Sequence, residues 1–434
     1  MAIFDSQTVV NKLLDAAPSK QFLIGYSGGL DSHVLLHFLS QARNLTPSIT
    51  VRSLYVDHGL QAESQQWATH CQTIADSLNI DHQTTQLNLQ LQSGESVEAV
   101  ARNARYQAFS DSIQTNEILL TAQHQDDQAE TLLLQLMRGA GLDGLSAMPY
   151  RKELEAYTHI RPLLDLTRKQ LEEYANKFQL DCITDPSNTD TRFDRNFLRQ
   201  KIFPALQERW PTISNTIMRS ASHLSESRTL LEDYIQLDMP TFRGTRTNTL
   251  SIQALQTTSI NKQKAIIRYW IKEQGFLTPS SSKLTHLFSD VINAKEGSTP
   301  LLEWKNTEIR RFQDDLHIIN PPPKLSTNTC FEWDIQGNLT IPPIAKTLSP
   351  TSLGDLEEVL LKQNFPVTVR FRQGGERIKA RRQEHSQSVK KLLQAANVPP
   401  WERSRIPMIY AGEQLIQVVG IATIDKRDLL DETH

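Results

Sequence analysis

Cysteine is scarce in this chain. Only Cys71, Cys182 and Cys330 occur in 434 residues, far apart and odd in number. A disulfide framework is therefore excluded as a design principle, and the chain suits a reducing, cytoplasmic setting. No CxxC pair occurs, which argues against a cysteine-built zinc or iron–sulfur site. The three thiols read as small apolar fillers. No apolar run approaches the roughly 18 residues of a membrane span. Met1 to Lys20 has no positive head before an apolar run, so no secretory leader is expected. Net charge is only −3, which does not advertise a nucleic-acid binder.

What is present is ordinary for a folded chain: 38% hydrophobic and 22% charged residues. The length predicts two or three domains. The first half alternates strand and helix patterns. Phe22–Tyr26 is a short buried strand, and Ser32–Ala42 carries helical spacing through Val34, Leu35, Phe38 and Leu39. A strand at Ile49–Val56, a helix at Gln61–Leu78 and a strand at Thr84–Leu89 follow. After them come a helix at Ser96–Ile113, a strand at Ile118–Ala122 and a helix at Asp126–Met137. This alternation predicts an α/β fold with a parallel sheet wrapped by helices, and a ligand site at the strands' carboxyl ends. From Leu198 to Glu273 the chain reads as helix-rich, with a break at Pro240–Arg246. Strand-like runs at Glu308–Phe312 and Leu316–Ile319 precede a Pro-rich stretch from Pro321 to Pro350, near which a boundary is expected. A compact α+β segment closes the chain, with strands at Phe365–Arg372 and Met408–Val419 and a helix at Ser388–Ala396.

One loop stands out: Ser27-Gly28-Gly29-Leu30-Asp31-Ser32, where a strand ends and a helix begins. Such a turn exposes unpaired backbone N–H groups at the positive end of a helix, which suits phosphate oxygens. Two glycines let the backbone come close, and two serines add hydroxyl donors. Asp31 would repel phosphate unless a cation intervenes, so it points to Mg²⁺. The loop lacks the lysine of GxxxxGK[ST] and is not a Walker A loop. A plain helix cap would use similar residues.

The second feature is His124-Gln125-Asp126-Asp127-Gln128-Ala129-Glu130-Thr131. Asp127 and Glu130 lie three apart, on one face near a helix start. They could hold Mg²⁺, grip an ammonium and take its proton, or merely complement the helix dipole. A third feature lies between Arg370 and Arg405, where ten Lys/Arg face three acids, a local charge of +7. It reads either as a phosphate-binding surface or as a solvated basic face.

Ser-Gly-Gly-x-Asp-Ser resembles the pyrophosphate-binding loop of the N-type ATP pyrophosphatases. The acidic run is similar to the HxxDDQxET-type signature of the tRNA(Ile)-lysidine synthetase family. Asp57-His58-Gly59, Ala101-Arg102-Asn103-Ala104-Arg105-Tyr106, Arg161-Pro162-Leu163-Leu164, Asp185-Pro186-Ser187-Asn188 and Arg195-Asn196-Phe197-Leu198-Arg199 follow that family's order. The likeness is specific over residues 20–204, looser over 205–360, and returns from Arg370 through Val398-Pro399-Pro400-Trp401. Two departures occur: Gln123 stands before His124 where the family often has a His pair, and Gln61 stands where an Arg is common.

The resemblance implies a Rossmann-like N-type ATP pyrophosphatase domain at 1–210, a mainly helical tRNA-binding domain at 211–325, and a linker with a small α+β tRNA-binding domain at 326–434. It implies adenylation of the C2 oxygen of the wobble cytidine in tRNA(Ile) with a CAU anticodon, attack by free L-lysine, and release of AMP and pyrophosphate. Ser27, Gly28, Gly29, Leu30, Asp31 and Ser32 would bind ATP, with Asp31 also the Mg²⁺ ligand. Asp127 and Glu130 would hold the lysine amine, with His124 a weaker base. Arg102 and Arg105 would hold adenylate phosphate or the lysine carboxylate. Arg195 and Arg199 would contact tRNA near the site. Trp401 is either a base-stacking platform or core. A homodimer is allowed for. The rival readings are a thiolating relative, a small-molecule ligase, and an RNA binder with a vestigial nucleotide site.

Overall fold

The computed structural model describes residues 6–59, 63–87, 89, 97–154, 156–295, 298–326 and 328–430. The positions Gln61 and Ser96, from which two helices were expected to start, lie outside them. The chain forms two compact units, Met1–Asp233 and Tyr234–His434. No helix among the described residues is long and apolar enough to cross a membrane.

The first unit is built on a six-stranded sheet. Its elements in chain order are α1 (Ser6–Ala16), β1 (Gln21–Gly25), α2 (Leu30–Leu45), β2 (Thr50–Asp57), α3 (Ser64–Ser77), β3 (Asp81–Gln86), α4 (Val97–Ser112), β4 (Glu117–Leu120), α5 (Gln125–Met137), α6 (Leu142–Leu145), β5 (Arg151–Glu153), β6 (Thr158–Ile160) and α7 (Arg168–Lys177). Then come α8 (Asp194–Phe197), α9 (Phe203–Arg209) and α10 (Ile213–Phe242). Strand order is β3-β2-β1-β4-β6-β5. All neighbours are parallel except the edge strand β5, which runs antiparallel to β6. That hairpin edge left no alternating pattern in Arg151–Glu153, all of whose residues are exposed.

Strand alternation sets the two faces. Phe22 and Ile24 pack with residues of α2, α3 and α7, whereas Leu23 packs with Ala108 and Phe109 of α4. Helices thus cover both faces, as a parallel sheet requires. The chain winds outward from β1 to β3 and then crosses to β4 on the other side. The switch point therefore lies between β1 and β4, where a crevice opens at the carboxyl ends. The loop after β1 and the acidic motif after β4 flank it.

Pro240 does not break its helix: α10 runs through it and ends at Phe242. A proline two residues from the end removes one N–H→O=C bond, to the Gln236 carbonyl, and the helix ends within the same turn. The second unit begins with a core around the fully buried Trp270, whose Nε1 donates to the carbonyl of Asn248 at 3.0 Å. A four-stranded sheet includes Thr307–Phe312 and Asp315–Ile319. Within the Pro-rich stretch the chain still forms short strands, Cys330–Trp333, Leu339–Ile341 and Lys346–Leu348. Cys330–Trp333 joins Val367–Arg370, Met408–Ala411, Gln414–Val418 and Ala422–Thr423 in an antiparallel sheet.

Candidate active site

The Ser27–Ser32 loop leaves β1 through Tyr26, whose N–H donates to Leu54 at 2.9 Å. Gly28 has φ of +75° and is buried, and an added Cβ there would lie 2.3 Å from Ile183 Cδ1 and 3.0 Å from Cys71 Sγ. Both its backbone angle and its surroundings demand glycine. Gly29 is the N-cap of α2 and provides no side-chain cap. The loop braces itself instead: Ser32 Oγ accepts from the Ser27 N–H at 3.2 Å, lies 3.1 Å from Ser27 Oγ, and donates to the Gly29 carbonyl at 3.0 Å. Leu30 is half-buried against the main core, so its side chain anchors the helix start. The uncapped N-terminus of a 16-residue helix faces the crevice, a seat for anionic oxygen.

Across the crevice, His124 caps α5. Its Nδ1 accepts from the Asp126 N–H at 3.2 Å, while Asp127 Oδ2 accepts from the His124 N–H at 3.0 Å. The reciprocal pair is a capping box. It consumes the lone pair on Nδ1 and so assigns the ring proton to Nε2. That nitrogen lies 3.7 Å from Asp31 Oδ1 and 3.5 Å from Asp127 Oδ2. His124 thereby turns Nε2 toward two carboxylates at ion-pair rather than hydrogen-bond distance, while Nδ1 is taken up by the cap.

Asp127 and Glu130 are 7% and 2% exposed. Arg199 binds both, Nη2 to Asp127 Oδ1 at 2.6 Å and Nε to Glu130 Oε1. Glu130 Oε2 is buried with no partner among the described residues. Burial raises the Glu130 pKa against the opposing pull of Arg199. Burial also raises that of Asp31, opposed by His124 and Arg168. Burial opposes the charge on Arg199 itself, but its bonds to Glu130 and Asp127 more than offset this, and its pKa is raised. Arg195 lies alongside, with Nη2 3.2 Å from Thr131 Oγ1.

Arg168 carries no motif of its own in the sequence, and nothing in the acidic motif separates Asp126 from Asp127. Arg168 places Nη1 2.6 and 2.7 Å from the two oxygens of Asp31. Asp126 ties three segments together. Its Oδ2 accepts from the Arg168 N–H at 2.8 Å, and its Oδ1 from Ser214 Oγ at 2.8 Å. The motif's two aspartates thus divide labour: Asp126 faces the protein and Asp127 the crevice. Only the Thr-x-x-Gln capping box at Thr167 marked where Arg168 would begin a helix.

Arg102 and Arg105 belong to another group. Their guanidinium carbons lie 5.3 and 5.9 Å from the Tyr106 ring centroid. Tyr106 in turn packs on His159, whose Nε2 lies 2.6 Å from Thr121 Oγ1. Thr121 also donates to Gln123, the residue that departs from the expected His pair.

The basic block is largely committed to the fold. Arg370 pairs with Glu413, Lys379 with Asp428, and Arg381 with Asp355. Arg405 donates to the carbonyls of Pro323 and Pro343. Trp401 packs against Phe312 and His317 under the Arg310 guanidinium, at 6.2, 5.1 and 5.3 Å between centres.

A glycine-bearing loop at a helix start, opposite an acidic helix across the switch point of a parallel sheet, is the layout of an ATP-binding PP-loop domain, and the family model described as "PP-loop domain" matches residues 4–206. Two further models, the "TilS substrate binding domain" and the "TilS substrate C-terminal domain", match 250–317 and 367–429. The chain is 37% identical over 418 residues to the tRNA(Ile)-lysidine synthase of Coxiella burnetii, covering 96% of this chain and 92% of that one. It is 39% identical to that of Haemophilus influenzae strain PittEE, over 95% and 97%. Against that of Edwardsiella ictaluri it is 40% identical, over 93% and 91%. The chain belongs to the tRNA(Ile)-lysidine synthase family and is an enzyme of the ligase class.

Proposed function

We propose that this chain uses ATP to join L-lysine to C2 of the wobble cytidine of tRNA(Ile) bearing a CAU anticodon. The C2 oxygen attacks the α-phosphorus of ATP and pyrophosphate leaves. The lysine Nζ then attacks C2, the C2–O bond to AMP breaks, and the amine's proton is lost. What carries the amine half of this reading is Glu130: a buried carboxylate with one oxygen on Arg199 and the other without a donor among the described residues. A buried acceptor lacking a donor is costly, and an ammonium supplies both charge and hydrogen bond.

The chain's groups divide the work. Backbone N–H groups of the Ser27–Ser32 loop and the α2 N-terminus are aimed at the departing pyrophosphate, where charge builds. Free lysine arrives protonated, with a reference pKa near ~10.4, and must shed a proton before attack. Asp127 and Glu130 orient that ammonium, and a carboxylate already raised by burial is the better acceptor for its proton. His124 Nε2 bridges toward Asp31 and Asp127 and keeps the two carboxylates together.

Among the described residues no cluster of three His, Cys, Asp or Glu could hold a metal by itself. Asp31, the carboxylate of the phosphate loop, would hold Mg²⁺ brought in with the nucleotide, and the ion would supply screening of the phosphate charge. The three-part division at 1–210, 211–325 and 326–434 is proposed alongside, with one family-model match inside each part as support.

The test is pyrophosphate release with ATP, lysine and tRNA(Ile) transcript. Release beyond a single turnover should need all three and disappear in Asp31→Ala. Release that proceeds equally well without lysine contradicts the assignment.

A further inference from the structure

The phosphate loop has a charge problem that its own residues do not solve. Its six positions hold one carboxylate and no cation. Oriented N–H groups are partial charges, whereas a nucleotide's phosphates bring several full ones. Walker-type loops meet this with a lysine, absent here. The missing cation enters from another element. Arg168 is the first residue of α7, 137 positions along the chain from Asp31.

We propose that Arg168 is a phosphate-binding residue for the nucleotide, and that Asp31 is the counter-ion that holds it ready. This rests on the reading of the Ser27–Ser32 loop as the nucleotide's phosphate seat. Three observations carry it. First, the Arg168 backbone is fixed: its N–H donates to Asp126 Oδ2 at 2.8 Å, and the Thr167–Gln170 capping box locks the turn. Second, its side chain is 42% exposed, so its guanidinium is open to a ligand from the solvent side. Third, its head sits on the loop's only acid, with Nη1 2.6 and 2.7 Å from Asp31, and Nε on Glu172 Oε1 at 3.0 Å.

A guanidinium on a carboxylate is poised for exchange. Phosphate oxygens carry more charge than a carboxylate and suit the same planar fork. When they settle on the α2 N-terminus beside Asp31, Arg168 turns to them and Asp31 loses its partner. Asp31 then keeps only the more distant His124 Nε2, 3.7 Å from its Oδ1, and has an oxygen open to a cation. The resting ion pair keeps both residues in place and stops the loop from repelling its ligand.

The experiment is calorimetric titration of the full-length chain with inorganic pyrophosphate, with Mg²⁺ present, in wild type, Arg168→Ala and Arg168→Lys. Lysine KM and melting temperature are measured on the same preparations. The expected result is at least about tenfold weaker pyrophosphate binding in Arg168→Ala, partial recovery in Arg168→Lys, and a lysine KM within about twofold of wild type. Equal affinity in wild type and Arg168→Ala overturns the inference and leaves the proposed reaction standing. Loss of affinity that tracks a fallen melting temperature and a raised lysine KM makes Arg168 a structural strut, and also overturns it. A wild type that binds no pyrophosphate removes the loop assignment itself, and this inference with it.

Discussion

Ile183 donates its backbone N–H to the carbonyl of Gly28 at 3.0 Å, and its Cδ1 fills the space that a side chain on Gly28 would need. The loop after β1 is thus shaped from behind by a segment more than 150 residues downstream. Gly28→Ala is expected to destabilise the first unit by about 1–3 kcal/mol, because positive φ and overpacking both count against it. Urea unfolding measures the cost. Ile183→Val in the Gly28→Ala background should restore part of it, and no restoration would mean that φ alone is responsible.

Glu130→Gln keeps the shape and removes the charge. Lysine KM should rise about tenfold or more, the usual worth of a hydrogen bond to a charged group. Affinity for ATP should stay within about twofold. Equal losses for both ligands would show that Glu130 acts on the crevice as a whole.

Arg199 pulls the pKa of Glu130 down against the burial that raises it. In Arg199→Ala that pull is gone, so Glu130 should stay protonated to higher pH. A protonated Glu130 cannot hold an ammonium by charge. The acid limb of kcat/KM for lysine should therefore move to higher pH in the variant. A limb that stays put would separate Glu130 ionisation from lysine binding.

Two buried imidazoles make the fold acid-sensitive. His159 is pushed down to about 3, by burial first and by Arg161 and its basic neighbours second. Burial takes His33 down to about 4. Below pH 6.5 the unfolded chain takes up these protons and the folded chain does not. Each group then costs roughly 1.4 kcal/mol per pH unit until its folded pKa is reached. The melting temperature should fall steadily from pH 6.5 to 4.5, and less steeply in His159→Gln. Parallel slopes would exclude His159 as a source.

The basic block separates into tied and untied cations. Reversing Arg381 breaks its pair with Asp355, so Arg381→Glu should lose some stability along with any tRNA affinity. Reversing Arg382, Lys390 and Lys391 together should weaken tRNA binding and flatten its salt dependence while the melting point holds. Filter binding across a salt series decides it, and an unchanged slope would remove these three from the tRNA surface.

The alternating core was readable because buried parallel strands are written as short apolar runs: Phe22–Gly25 and Ile118–Leu120 appear where expected. The loop and the acidic helix were readable because each is contiguous. Arg168 was not, since an arginine at a helix start has no local signature and its meaning lies in a carboxylate 137 positions away. The role of His124 depends on which nitrogen is occupied, and that needs the cap geometry. Charge counting over Arg370–Arg405 misjudged availability, because partners such as Asp355, Glu413 and Asp428 lie outside the counted window.

Asp126 has a consequence at the level of the organism. Its two oxygens accept from the Arg168 N–H and from Ser214 Oγ, which ties the start of α5 to the starts of α7 and α10. A chain with Asp126→Asn would keep every reacting group and lose the tie that spaces them. Such a lesion is expected to be conditional, tolerated by cells grown cool and limiting when they are warmed. A temperature-sensitive allele at this position would trace growth arrest to a supporting carboxylate one residue from the ligand-facing one.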